Sequence, residues 1–489
     1  ATAATRVDEN GLVNYAEIIG EEEVTDGDFP SGTTAWTFGA GWSLGTNKAE
    51  RLVAASSTDI VQASVFPNLT STFKISFDVV RSAGSIRLRA GTYSLPYVSA
   101  TDTYIYYVTP VSNNQLKFQA DSSFVGSVTN ISVKEVTRDN VPRIDYTGGG
   151  CPHILSEPQR TNLIPYSEDF SQWSNTGVQV NINSTISPSG TENASTITGS
   201  TTNSRHNVVV STISGSVSAS FSVFAKAKEL RYLQIASANS INQYANFDLL
   251  SGTIGTIGGG FSNVKIESLD NDWYKISLVS NSQYNSIYLS LASSLTASWL
   301  ETYSMANNSD SLYLWGAQVE VGSYPTSYIP NFGTSAGVTR NQDQFTRDGI
   351  GSLINSPEGV LFVEMAALSD DGTLRCITLS DGGITNRVLI IYNTQSNSIR
   401  AVVVSNAGTS FDELHTVTST LDFHKIAIKW KLNDFAFWID GVEVATDTSG
   451  AAPIGLDRIV FDVGNGTYDF YGKVKQLQVY NTALTDEQL

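Results

Sequence analysis

The sequence predicts an all-β protein built as three β-sandwich domains, and three observations carry that expectation. Apolar and polar residues alternate through most of the chain, as in Phe73–Val79 (FKISFDV), Ala219–Ala225, Tyr274–Leu278 and Lys425–Trp430, which is the period of strands with one buried face. Gly, Ser, Thr and Asn punctuate these runs at short intervals, as turns between sandwich strands do. The 489 residues exceed what one hydrophobic core serves, so about three domains of roughly 100–200 residues are expected.

Composition narrows the function. With 29 basic against 47 acidic residues, a net charge of −18 and no clustered Lys/Arg stripe, the chain repels phosphate backbones, so nucleic acid and anionic lipid are not expected partners. No apolar run approaches the ~20 residues of a membrane helix, so no membrane insertion is expected. The two cysteines, Cys151 and Cys376, fit neither a disulfide framework nor a zinc spacing, and both are expected to be free. A start at Ala1 without Met reads as a processed product or a fragment.

Taken in order, residues 1–17 form an extended lead-in and residues 18–137 a first sandwich. Residues 138–165 form an extended strap. Within the wider stretch 142–173, three consecutive glycines, four prolines and scattered anchors at Ile144, Ile154, Leu155, Leu163 and Ile164 describe a segment laid over folded neighbours. Residues 166–330 form a second sandwich. Both sandwiches open on Asp-Phe followed by Trp (Asp28, Phe29, Trp36; Asp169, Phe170, Trp173) and close on a Val/Glu/Val strand (Val133–Val136; Val319–Val321), a weak internal repeat. A linker at 331–344 leads to a third sandwich at 345–489, which contains a hairpin turned by Asp440-Gly441 and ends in a predicted short helix capped by Thr485.

Several of these stretches resemble known families. His424-Lys-Ile-Ala-Ile, Ile439-Asp-Gly-Val and the ending Tyr480-Asn-Thr-Ala-Leu-Thr-Asp-Glu-Gln resemble the laminin-G-like, concanavalin A-like lectin/glucanase sandwich. The second sandwich, with Trp273-Tyr-Lys-Ile-Ser and Trp315-Gly-Ala-Gln-Val-Glu, looks like a carbohydrate-binding-module jelly roll, and the first is of the same broad type. The strap, from Cys151-Pro through Glu157-Pro-Gln-Arg-Thr-Asn-Leu to Trp173, is similar to a segment of bacteriophage tail-fibre and other virion proteins. In those proteins a lead-in like Ala4–Val13 runs almost directly into Pro-Arg-Ile-Asp-Tyr. Here about 125 residues separate the two, so the first sandwich is expected to be an insertion with its ends close together. Residues 4–15 should then lie beside residues 141–146.

The resemblance implies a virion-surface, extracellular protein that binds host or environmental glycans without catalysis, beside other virion proteins and as a homo-oligomer, a trimer being the fibre expectation. Aromatic platforms covering the apolar side of a pyranose are the chemistry required. The loop candidates are Trp36, Trp42 and Tyr97 in the first sandwich and Tyr244 and Trp299 in the second. Trp173, Trp273, Trp315, Trp430 and Trp438 read as core. Jelly rolls of this type also imply a structural Ca²⁺, for which Asp26 and Asp28, or Glu168 and Asp169, supply hard oxygen ligands.

Two alternatives stand beside this reading, a polysaccharide depolymerase or lyase and a structural spacer or decoration protein. A hydrolase needs two carboxylates at a set separation; Glu267, Asp270 and Asp272 cluster in a turn-like stretch, and Glu21–Glu23 read as a solvated run. A lyase needs a His/Tyr pair with a neutralising cation; His415, His424, Tyr392 and Arg400 share the third domain. There is no transition-metal spacing. No catalytic residue is therefore assigned.

Overall fold

A computed structural model describes residues 3–53, 56–211, 218–280, 286–406 and 408–489. The protein is all-β: among the described residues the only helices are three-residue 3-10 turns, and none is long and apolar enough to cross a membrane. The chain divides into two compact units. Glu17–Val141 is one, and Ala1–Ala16 together with Pro142–Leu489 is the other.

In the unit of residues 17–141, a five-stranded and a six-stranded antiparallel sheet face each other across a core of Phe29, Trp36, Trp42, Ile60, Phe73, Phe77, Leu88 and Phe118. Strict alternation places the strand residues among them, as in Ile86-Arg-Leu-Arg-Ala90, where every second residue is buried. The two ends of the unit meet: Ile18 and Ile19 pair with Thr137 and Val136, and Glu17 accepts from Arg138 Nε at 3.0 Å.

The second sandwich repeats this topology strand for strand. One sheet of the first runs Asp102–Val108, Thr72–Ala83, Val125–Thr137, Lys48–Arg51, Ser43–Gly45; its counterpart runs Tyr274–Ser280, Ala219–Ala227, Ser311–Val321, Glu192–Gly199, Val178–Ile186. The other sheets run Tyr93–Ser94, Ile86–Ala90, Leu116–Ala120, Thr58–Gln62, Thr37–Phe38 against Tyr244–Asp248, Tyr232–Ser237, Ser286–Leu291, Asn207–Ser211, Ser174–Thr176. The second sandwich adds two strands, Thr253–Ile257 beside Tyr244–Asp248 and Phe261–Ser268 beside Tyr274–Ser280. The shared Asp-Phe…Trp opening has one geometry in both. Phe29 packs on Trp36 at 5.0 Å and Phe170 on Trp173 at 4.9 Å, and each indole N–H donates to an upstream carbonyl, Asp26 O at 3.1 Å and Tyr166 O at 3.0 Å.

Ala219–Ala225 is buried on both faces. Its inward Phe221 and Val223 fill the sandwich core, whereas Phe224 joins Val13, Trp273, Trp315 and Tyr328 in a second apolar layer. Polar outward residues of this sheet hold the connector that runs across it: Gln318 Oε1 accepts from Ile329 N at 2.6 Å, and Glu320 Oε2 accepts from Thr326 N at 2.9 Å.

The third sandwich packs the seven-stranded sheet that includes Glu358–Ala367, His424–Lys431 and Gly472–Tyr480 against a six-stranded one. Ile426, Ile428 and Trp430 lie in its core, where each fully buried large side chain contributes roughly 1.5–3 kcal/mol. Asp440 and Gly441 both take positive φ, 52° and 78°, as a type I′ hairpin requires. The short helix expected at the chain end is a single turn, in which the Gln488 side chain accepts from Thr485 N at 3.0 Å, the contact of a capping box.

The strap is stitched into this framework by strands. His153–Ser156 joins the third sandwich beside Gly472–Tyr480, and Arg160–Asn162 pairs with Val338–Arg340 of the connector. The lead-in lies against its start: Tyr146 N donates to Val7 O at 3.0 Å and Arg6 Nη1 to Ile144 O at 2.9 Å. Leu155 and Ile164 are buried anchors, but Ile144 is 36% exposed. Its neighbours Arg143 and Asp145 point inward instead, so charged side chains pin this end of the strap. Glu157 is the hub. Its Oε2 lies 2.6 Å from both Arg143 Nη1 and Arg340 Nη1, its Oε1 accepts from Ser327 N at 2.8 Å, and Arg143 Nη2 also pairs with Asp343. Burial alone would raise the Glu157 carboxyl, but the two guanidiniums outweigh it and hold the group well below the usual carboxylate range.

Candidate functional site

On the second sandwich, the outward face of the sheet Asn207–Ser211, Ser286–Leu291, Tyr232–Ser237, Tyr244–Asp248 carries two adjacent rows of side chains. Register places Asn207, Ser290, Gln234 and Asn246 in one row, and Val209, Tyr288, Ala236 and Tyr244 in the next. The first row is buried and polar for a local reason: the segment after Leu291 crosses over it. Asn246 Nδ2 donates to Ala297 O at 2.8 Å, Gln234 Nε2 to Ser298 O at 3.0 Å, and Leu300 N to Gln234 Oε1 at 2.7 Å. These amides satisfy the crossing backbone, which would otherwise be left unpaired.

The crossing segment leaves Val209, Tyr288 and Tyr244 of the second row half-buried and sets Trp299 beside it. The Trp299 indole N–H donates to Ser237 O at 3.1 Å, and the Arg205 guanidinium lies 5.1 Å from the ring centroid. The result is an aromatic trough whose accessible surface is that of half-buried Tyr244, Tyr288 and Trp299, with Ala236 fully buried between them. Arg205 holds the tryptophan plane. The trough offers aromatic surface, hydroxyls and no carboxylate pair. Ring faces and hydroxyls are the groups that a polyhydroxylated ring stacks on and bonds to.

Of the residues singled out in the sequence, Tyr244 and Trp299 come together here. Tyr288 was missed, although it sits one strand away in register with Ala236; single-sequence alternation marks it as outward but does not say which strands are neighbours. Trp36 and Trp42 are corrections: they are 5% and 7% exposed and belong to the core of the first sandwich. Tyr97 is 41% exposed and packs on Arg87 at 4.6 Å.

The carboxylates expected to serve calcium have other partners. Asp169 caps the turn Phe170–Gln172 by accepting from Ser171 N at 3.0 Å, and Asp26 accepts from Thr33 Oγ1 at 2.7 Å in a turn where Asp28 is exposed. Glu168 accepts from Tyr328 Oη at 3.0 Å and Asn193 Nδ2 at 2.8 Å, and burial pushes its carboxyl up to about 7. Among the described residues, no group of three or more His, Cys, Asp or Glu side chains is placed to hold a metal.

The catalytic candidates are dispersed. Tyr392 is a core residue stacked on Phe470, Arg400 is paired with Asp412 at 2.6 Å, and His424 bridges Asp440 Oδ2 at 2.7 Å and Ser419 O at 2.9 Å as a hairpin staple. Asp270 and Asp272 form a tight turn in which Asn271 has φ 57°. A cleft of about 970 Å³ beside the lead-in is lined by Asp145 and His153, among others. Burial, reinforced by Lys473 and Lys475, lowers the His153 pKa despite Asp145, so the ring is neutral near pH 7.

The fold defines a tandem β-sandwich protein. No protein-family model and no curated protein matches the chain. Among solved structures it is similar to the CBM40 of a Ruminococcus gnavus IT-sialidase bound to α2,3-sialyllactose (12% identity, TM-score 0.26, covering 30% of this chain and 95% of that one). It is also similar to sheep galectin-11 in complex with glycerol (5%, 0.22, 29% and 99%) and to domains LG4-5 of the mouse laminin α1 chain (12%, 0.21, 58% and 88%).

Proposed function

We propose that this protein is a non-catalytic glycan-binding component of a bacteriophage virion, displayed on the particle surface as a tail or capsid fibre and meeting host or environmental polysaccharide. The observation that carries the binding role is the Tyr244–Ala236–Tyr288 row with Trp299 beside it. The virion setting is supported by the resemblance of the strap and lead-in to phage fibre segments. One aromatic trough binds a sugar weakly; several chains per particle, in a homo-oligomer alongside other virion proteins, multiply the effective concentration.

The test is a glycan array probed with the full chain, paired with assays for reducing ends and unsaturated products on bacterial and algal polysaccharides. Binding without product release is the expected outcome. Release of oligosaccharides by the purified chain would replace this reading with a depolymerase or lyase. A folded chain that binds nothing would leave a spacer.

A further inference from the structure

The strand-for-strand repeat gives the first sandwich a sheet face equivalent to the trough, and that face is different in chemistry. Its outward rows are Arg89, Lys117 and Val61, then Arg87, Gln119 and Asp59, while Leu88, Phe118 and Ile60 between them face the core. In the second sandwich, residues 292–310 separate the equivalent strand from the last one and cross the face; here the intervening residues are only 121–124. The inserted sandwich therefore lacks the crossing segment that covers the polar row of its counterpart.

Arg89 and Lys117 are directly opposite each other on neighbouring strands, an arrangement that costs stability because two cationic side chains leave the sheet from Cβ atoms about 5 Å apart. Among the described residues no carboxylate pairs with Lys117 or Arg87, and Arg89 reaches only Asp59, at 3.9 Å. Arg87 is held flat by Gln119 Oε1, 2.7 Å from its Nε, and by the exposed Tyr97 ring. Three cations against one carboxylate on one sheet face, in a chain of net charge −18, are a local reversal of sign.

We propose that this face is a second ligand site, selective for saccharides that carry an anionic group, either a carboxylate or a sulfate ester. Lys117 and Arg89 receive the oxyanion, Arg87 and Gln119 bond hydroxyls, and Tyr97 covers the ring. The proposal rests on the glycan-binding reading only in taking a saccharide as the ligand; its site and its chemistry are separate from the trough.

The test uses the full chain in affinity electrophoresis and calorimetry with polygalacturonate, dextran sulfate, neutral dextran and a single-stranded oligonucleotide. Binding of polygalacturonate or dextran sulfate is expected, and which of the two binds tells carboxylate from sulfate. R89Q/K117Q should weaken it on the order of tenfold or more, as loss of charge-assisted hydrogen bonds does. The same variant should leave the melting temperature unchanged or raise it, whereas a purely structural role for the pair would lower it. Trp299→Ala should leave anionic binding intact, so that failure of the trough and failure of this face are read separately. The proposal is overturned if neither polymer binds, if R89Q/K117Q binds as the wild type does, if Trp299→Ala abolishes the binding, or if the oligonucleotide binds equally well.

Discussion

Arg143 and Glu157 meet at 2.6 Å with their side chains 0% and 4% exposed, and the same carboxylate oxygen lies 2.6 Å from Arg340. Removing one member of such a set leaves uncompensated buried charge, which costs far more than the set contributes. Glu157→Gln is expected to lower the unfolding free energy by about 3–5 kcal/mol, measured by urea denaturation of the full chain. A loss under 1 kcal/mol would mean that the hub is not buried in solution.

The same carboxylate sets an acid limit. Its pKa in the folded chain is depressed, so its stabilisation is fully present above the unfolded carboxylate range, near pH 4.5, and is lost as pH falls toward the folded value. Acid unfolding should therefore steepen below about pH 4, and Glu157→Gln should flatten that part of a melting-temperature profile.

Glu168 has the opposite sign. Its folded pKa, about 7, lies above the unfolded value, so the folded chain binds the extra proton and loses stability as pH rises from about 4.5 to 7. Glu168→Gln keeps a partner for Tyr328 and Asn193 and should remove this slope, giving a variant more stable than wild type at pH 8 by about 1–3 kcal/mol after solvent screening. Equal melting temperatures at pH 8 would show that Glu168 is ionised without penalty.

In the trough, Tyr244→Ala, Tyr288→Ala and Trp299→Ala should each weaken binding to array-positive glycans about 5–30-fold, a change of one or two kcal/mol. Tyr97→Ala should not affect those ligands. Retained affinity in all three trough variants would move the site elsewhere.

Because residues 17–141 form their own unit, excising them and joining Ala16 to Pro142 through a short Gly/Ser linker should leave a cooperatively folding remainder. Calorimetry would reveal this as one retained transition, and an aggregated product would show that the remainder depends on the insert.

Much of the architecture was legible because alternation fixes which side of a strand is buried, and Asp440-Gly441 fixes a turn locally. What alternation does not encode is which elements cover the outward faces. Trp36 and Trp42 lie among Gly and Thr and looked like loop platforms, yet both fold inward because Phe29, Phe118 and Phe124 supply ring partners from elsewhere in the chain. The burial of Arg143 and Glu157 depends on Ser327, Arg340 and Asp343, too far along the chain for any local pattern to connect. Tyr244 and Trp299 were found by residue type, whereas Tyr288 required the register.

The Glu157 hub also orders events on the ribosome. Arg143 is 200 residues ahead of Asp343, so at 5–20 residues per second it waits roughly 10–40 s for that partner. The sandwich of residues 17–141 needs nothing downstream and can close during the wait, while the strap remains hydrated by its own charges. An apolar strap of the same length would spend that interval as a sticky, unpaired edge on the nascent chain. The ionic pins thus trade some final stability for a segment that stays soluble until its last partner emerges.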